Sequence, residues 1–144
     1  MEARITADLT KGYAVRITNG RHTWVGDEPV DLDGDDLGPT PYELLVGALA
    51  ACTCITLAVY CQRKGWTLDS VSVRFDFDQV HAEDCANCDE KATGFIDTIR
   101  SQVFIEGDFD EDAAARLRSV VSKCPVRKTL TNGVRFTDED VHVG

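Results

Sequence analysis

No run of basic residues occurs anywhere in this chain, whose 25 acids outweigh 15 lysines and arginines to leave a formal charge of −10. Holding a phosphate backbone needs clustered cations, so neither a nucleic-acid partner nor an anionic membrane surface is expected. Histidine is scarce, limited to His22, His81 and His142. There is no glycine-rich phosphate loop, and no G-x-S-x-G to form the nucleophile elbow of a serine triad. Internal repeats and low-complexity linkers are also missing. Met1 leads directly into the alternating segment Arg4-Ile5-Thr6-Ala7-Asp8, without the apolar core of a secretion signal, so the expected location is cytoplasmic. The length of 144 residues suits a single domain, 1–144, and a hydrophobic content of 43% is too high for a disordered chain.

Cysteine is what the reactive inventory does contain. Six are present, and a reducing cytoplasm disfavours structural disulfides, so they need another explanation.

The pattern along the chain predicts an α+β fold. Arg4–Leu9 and Tyr13–Thr18 are β-prone runs broken at Lys11-Gly12. Asn19-Gly20 signals a tight type I′ hairpin pairing Tyr13–Thr18 with Arg21–Val25. A polar loop through Gly38-Pro39 precedes Thr40-Pro41, which opens a helix that Gly65 ends after Lys64. Leu44 through Cys61 contains no charge, which reaches the lower length of a membrane span. Its many Gly, Ala and Thr residues instead suit a buried helix with strands around it, and no membrane is expected. Such a helix is apolar nearly all round, more than one small domain can cover, so a homodimer is expected. Val71, Val73, Phe75 and Phe77 alternate with polar residues as a half-buried strand, and Ile99–Ile105 forms another. Asp110 caps a second helix reaching roughly to Lys123; Cys124-Pro125 interrupts it, Gly133 closes its successor, and Val134-Arg135-Phe136 reads as a last strand.

Cys124 precedes a proline that favours the first helical position, which places its sulfur at a helix start. There the free amides and the positive helix end would lower a thiol pKa; an inert buried cysteine remains the other reading. Cys52 lies mid-helix without that help, and Glu43 stands nine positions earlier, about 13.5 Å along the axis at the standard helical rise. Taken alone, Cys52 reads as core. Cys54 and Cys61 share a helix face and read as core too. Cys85-Ala86-Asn87-Cys88, preceded by His81, is open to three readings: an accessory dithiol, half a metal site, or loop residues.

Two motifs change the balance. Pro41-Tyr42-Glu43-Leu44-Leu45-Val46-Gly47-Ala48-Leu49-Ala50-Ala51-Cys52 resembles the central helix of the OsmC/Ohr superfamily, the osmotically inducible and organic hydroperoxide resistance proteins. Ser122-Lys123-Cys124-Pro125-Val126-Arg127-Lys128-Thr129-Leu130 resembles that family's second cysteine motif. The resemblance implies an intertwined homodimer and a cofactor-free, metal-free peroxidase. In it Cys52 attacks a hydroperoxide and Cys124 resolves the sulfenic acid as a disulfide. A dithiol such as dihydrolipoamide then restores the pair. It also implies a catalytic Glu43 and an activating arginine from the N-terminal strands, Arg21 or Arg16. The hydroperoxide-resistance branch has Glu directly after the proline, whereas here Tyr42 intervenes. The alternatives are a redox sensor or binding protein on the same scaffold, and a metal protein built on His81, Cys85 and Cys88.

Overall fold

β-branched and apolar residues alternating with polar ones open the chain as three short strands in a computed structural model, which describes residues 2–84, 93–137 and 139–144. β1 (Thr6–Lys11), β2 (Ala14–Thr18) and β3 (Thr23–Gly26) form an antiparallel sheet in chain order. Thr6 faces Thr18 across the first ladder, and a bulge between Leu9 and Lys11 precedes the turn at Gly12, whose φ of +59° favours glycine. The second ladder pairs Thr18 with Thr23, so Asn19–His22 is a four-residue loop rather than the expected two-residue hairpin. The reason is local. Asn19 Oδ1 accepts from the amides of both Arg21 (3.0 Å) and His22 (2.7 Å), an arrangement that draws two further residues into the turn.

After β3 the chain is pinned rather than loose. Asp27 is buried, and its carboxylate accepts from the amides of Glu28 (2.7 Å) and Leu37 (3.1 Å). Gly38 passes so close to the Val25 carbonyl that a Cβ there would collide with it. Helix α1 (Pro41–Lys64) then starts on a reciprocal capping box. Thr40 Oγ1 accepts from the Glu43 amide (3.2 Å), and a Glu43 carboxylate oxygen accepts from the Thr40 amide (3.0 Å). Gly65, with φ of +70°, ends the helix as expected.

β4 (Leu68–His81) and β5 (Phe95–Gly107) pair as a second sheet. The expected alternation holds in β4, where Val71, Val73 and Phe75 are half-buried and Ser72 and Arg74 exposed. α2 (Glu111–Val121) begins where Asp110 accepts from the Ala113 amide at 2.8 Å, and α3 (Pro125–Asn132) ends at Gly133. Val134-Arg135-Phe136 is not a strand; the segment is irregular and Phe136 is 95% exposed. Three residues of β character join neither sheet, and propensity alone does not hold a strand.

By contacts the chain divides into two compact units. One comprises Met1–Ala48 and Phe77–Thr98; the other comprises Leu49–Asp76 and Ile99–Gly144. In the first, the three-stranded sheet meets the start of α1, where Leu44 lies against Gly26, and Tyr42 stacks on Phe77 at 4.7 Å. In the second, Leu57, Cys61, Leu117 and Val120 form a core flanked by Trp66, Val71, Val103 and Phe109. Each fully buried leucine there is worth about 1.5–3 kcal/mol. The expected burial of α1 is met along one stripe only. Leu49, Thr53, Leu57 and Cys61, four apart, are buried, while Leu45, Ile55 and Val59 are exposed. A single stripe is what one layer of partner elements can cover.

Candidate active site

Spacing on α1 sets the first half of the site. Cys52 is half-buried, and its Sγ lies 3.9 Å from Thr56 Oγ1, one turn onward. Thr53 belongs to the buried stripe, and its hydroxyl donates to the Leu49 carbonyl at 2.9 Å, which satisfies a polar group that water does not reach.

Pro125 sets the second half. As the first residue of α3 it holds the preceding Cys124 in an extended conformation, φ −55° and ψ 127°. The first amides of α3 have no partner within the helix. Cys124 is fully buried, and its sulfur faces the amides of Val126 and Arg127 without completing a capping hydrogen bond.

The fold brings these two cysteines together within the second unit as interacting free thiols. They titrate as a pair in opposite directions. Burial pushes the Cys52 thiol up, and the neighbouring Cys124 sulfur pushes the same way; the Val126 amide and Thr56 only partly offset them. Burial also opposes a charge on Cys124. There, however, donation from Cys52, the Arg127 amide, the Thr53 hydroxyl and the Val126 amide outweighs it, so that thiol is pulled down. Within the pair the donors therefore favour ionisation at Cys124 over Cys52. The Thr53 hydroxyl has one proton, so it serves either the Leu49 carbonyl or the Cys124 thiolate.

The other expected site residues are placed as follows. Glu43 lies in the first unit, engaged in the capping box. Arg16 is exposed on β2, and Arg21 is exposed in the β2–β3 loop. His81 ends β4, where its Nδ1 accepts from the Glu83 amide (3.3 Å) and its ring meets Phe95 edge-on. Cys85 and Cys88 lie outside the described residues, so the metal reading that needs them has no geometry. Among the described residues no cluster of three potential ligands could hold a metal ion. Cys61 is core, as expected, and Cys54 is half-buried. Sequence reasoning passed over Thr53 and Thr56. The available signal was two hydroxyls, one and four positions after a cysteine, on an otherwise apolar helix.

The family model for "OsmC-like protein" matches residues 34–139. No curated protein matches the chain. Among solved structures, the OsmC-like protein from Mycoplasma pneumoniae is 21% identical, with a TM-score of 0.71 over 91% of this chain and 88% of that one. An organic hydroperoxide resistance protein OsmC from Legionella pneumophila is 19% identical, with a TM-score of 0.63 over 90% and 89%. The organic hydroperoxide resistance protein OhrB of Bacillus subtilis is 19% identical, with a TM-score of 0.60 over 90% of each chain. At these identities the likeness is one of fold.

Proposed function

The chain belongs to the OsmC-like protein family, and from that premise we propose that it reduces hydroperoxides through Cys52 and Cys124. The observation that carries this reading is that two free thiols from distant parts of the chain lie near enough to shift each other's titration, with Cys124 lowered. Two of the similar structures are named as organic hydroperoxide resistance proteins, which supports an organic peroxide as substrate.

The chemistry proceeds within the pair. The Cys52 S–H passes its proton to the Cys124 thiolate, which makes Cys52 the nucleophile. Its thiolate attacks the terminal peroxide oxygen; the O–O bond breaks, Cys52 becomes a sulfenic acid, and the alkoxide takes the proton held by Cys124 and leaves as an alcohol. Cys124, again a thiolate, attacks the Cys52 sulfur. An S–S bond forms, the S–O bond breaks, and the hydroxide takes a proton from solvent and leaves as water. An external dithiol, of the dihydrolipoamide kind, reduces the disulfide and is itself oxidised to a disulfide. No cofactor enters these steps. The working unit is a homodimer of one-domain chains in the reducing cytoplasm, where Arg16 or Arg21 supplies a fixed cation and Glu43 a carboxylate to the thiol chemistry.

Peroxide consumption with a dithiol donor tests the reading. Cys52→Ser should lose turnover while keeping the fold. Cys124→Ser should consume one peroxide per chain and stop at the sulfenic acid, visible by mass spectrometry. Full turnover by Cys52→Ser would overturn the assignment of the nucleophile.

A further inference from the structure

The charge of this chain is unevenly spread. Residues 113–136 hold six cations, Arg116, Arg118, Lys123, Arg127, Lys128 and Arg135, and no Asp or Glu. With a total of −10, the other 120 residues therefore carry −16. All six cationic residues are exposed. None is in an ion pair among the described residues, where the pairs are Arg4 with Glu2, Arg74 with Asp76 and His142 with Asp140.

Helix stability accounts for only part of this. Arg118, in the last turn of α2, and Lys123, just past it, suit the negative end of that helix. Arg127 and Lys128 instead stand in the first turn of α3, which holds no acid, although its positive end disfavours cations. The cationic face is also distinct from the apolar surfaces that call for a second copy. Large apolar residues are exposed on α1, β1 and β5, but none is exposed between Phe104 and Leu130. An interface with an identical chain would have little to bury there.

Position relates these cations to the thiols. α2 and α3 are joined by Ser122–Cys124, so Lys123 adjoins Cys124, and Arg127 and Lys128 follow within four positions. Both helices belong to the unit that holds Cys52 and Cys124. α2 alone, with 11 residues, is about 16.5 Å long at the standard rise, a wider span than a free dithiol touches.

We propose that the exposed face of α2 and α3 docks an acidic protein that carries the reducing dithiol. The cations steer and orient that carrier at a positive region of a chain whose remaining field repels it. The proposal rests on the peroxidase reading, and the redox step is the reduction described there. Two electrons and two protons pass from the carrier's dithiol, which closes as a disulfide, to Cys52 and Cys124.

Two synthetic peptides serve as carriers in the test, each with one Cys-x-x-Cys, flanked by glutamates in one and by glutamines in the other. Dithiothreitol, small and uncharged, is the reference. The protein is first oxidised with diamide to the Cys52–Cys124 disulfide, and reduction of that bond is followed by mass spectrometry at low salt. The glutamate peptide should react at least about tenfold faster than the glutamine peptide, the lower end for electrostatic steering, and added salt should erode the advantage. Combining Arg116→Gln, Arg118→Gln and Lys128→Gln should remove most of it, while dithiothreitol still reduces the variant at the wild-type rate. An advantage absent from the wild type, or unchanged by the triple substitution, would overturn the docking face, even with the peroxidase active. Charge-dependent reduction without turnover of any hydroperoxide would sustain the face and overturn the peroxidase reading instead. A single-stranded oligonucleotide that binds through the same cations, more tightly than the glutamate peptide, would overturn the protein partner in favour of a nucleic acid.

Discussion

At the scale of single residues, the thiol pair is governed by where donors lie. Cys124 collects the amides of Arg127 and Val126 and the Thr53 hydroxyl, whereas Cys52 gains only the Val126 amide and Thr56 against its burial. With 9.0 as the ordinary thiol value, the pair should lose its first proton below that pH, from Cys124, and its second above it, from Cys52. Ultraviolet thiolate absorbance against pH reads both steps. Thr53→Val should move the first step upward, and Cys124→Ser should remove it; a low step surviving in Cys124→Ser would place the charge on another sulfur. Stability follows by linkage, and the signs differ. The depressed Cys124 contributes stability that is present above the unfolded thiol value and is lost as pH falls through its lowered pKa. Cys52 and Cys61, raised by burial, contribute below 9.0 and lose that contribution as pH rises through their raised values.

At the scale of elements, punctuation in the sequence was legible wherever it acted locally. Thr40-Pro41 with Gly65 bounded α1, Asp110 started α2, and Cys124-Pro125 with Gly133 bounded α3, because caps act within one turn of the chain. The hairpin loop and the last strand were misread where the outcome depended on a side chain's choice of amides or on a sheet edge to join. Glu43 offers a test at this scale, since the capping box and the proposed catalytic role make different demands on it. Thr40→Ala should cost about 0.5–2 kcal/mol in denaturant unfolding. Glu43→Gln keeps an acceptor for the Thr40 amide but removes the charge, so its stability should change little. A loss of turnover in that variant at unchanged stability would give the carboxylate its chemical role; equal turnover would confine it to the cap.

At the scale of the whole molecule, the uncovered faces call for a partner. Ile55 is 62% exposed on α1, Phe104 55% on β5, and Leu9 67% on β1, an excess of large apolar groups in water. Among the described residues α1 is also the one helix long and apolar enough to span a membrane. Lipid is the poorer candidate for that face. The helix is continuous with loops and two open-edged sheets, whose backbone groups need water or protein. The expectation is a dimer of this chain, without a stable folded monomer. Sedimentation equilibrium without detergent should give twice the chain mass at micromolar concentration. A folded monomer there would count against the dimer, and a need for detergent would point to the bilayer.

The sequence by itself determined the α+β class, the bounds of all three helices, the family, and the two cysteines worth suspecting. Each follows from local signals: caps, periodicity, and two short motifs of recognisable spacing. Only the tertiary structure decided that Cys52 lies near Cys124 across 72 positions of chain, that Thr53 lies near the Cys124 sulfur, and that α1 buries a single stripe. It also decided which sulfur has the larger share of donors. Helix position predicted a low pKa for Cys124, but the preference within the pair depends on burial and on donors from α1, and no local pattern in the sequence encodes that meeting.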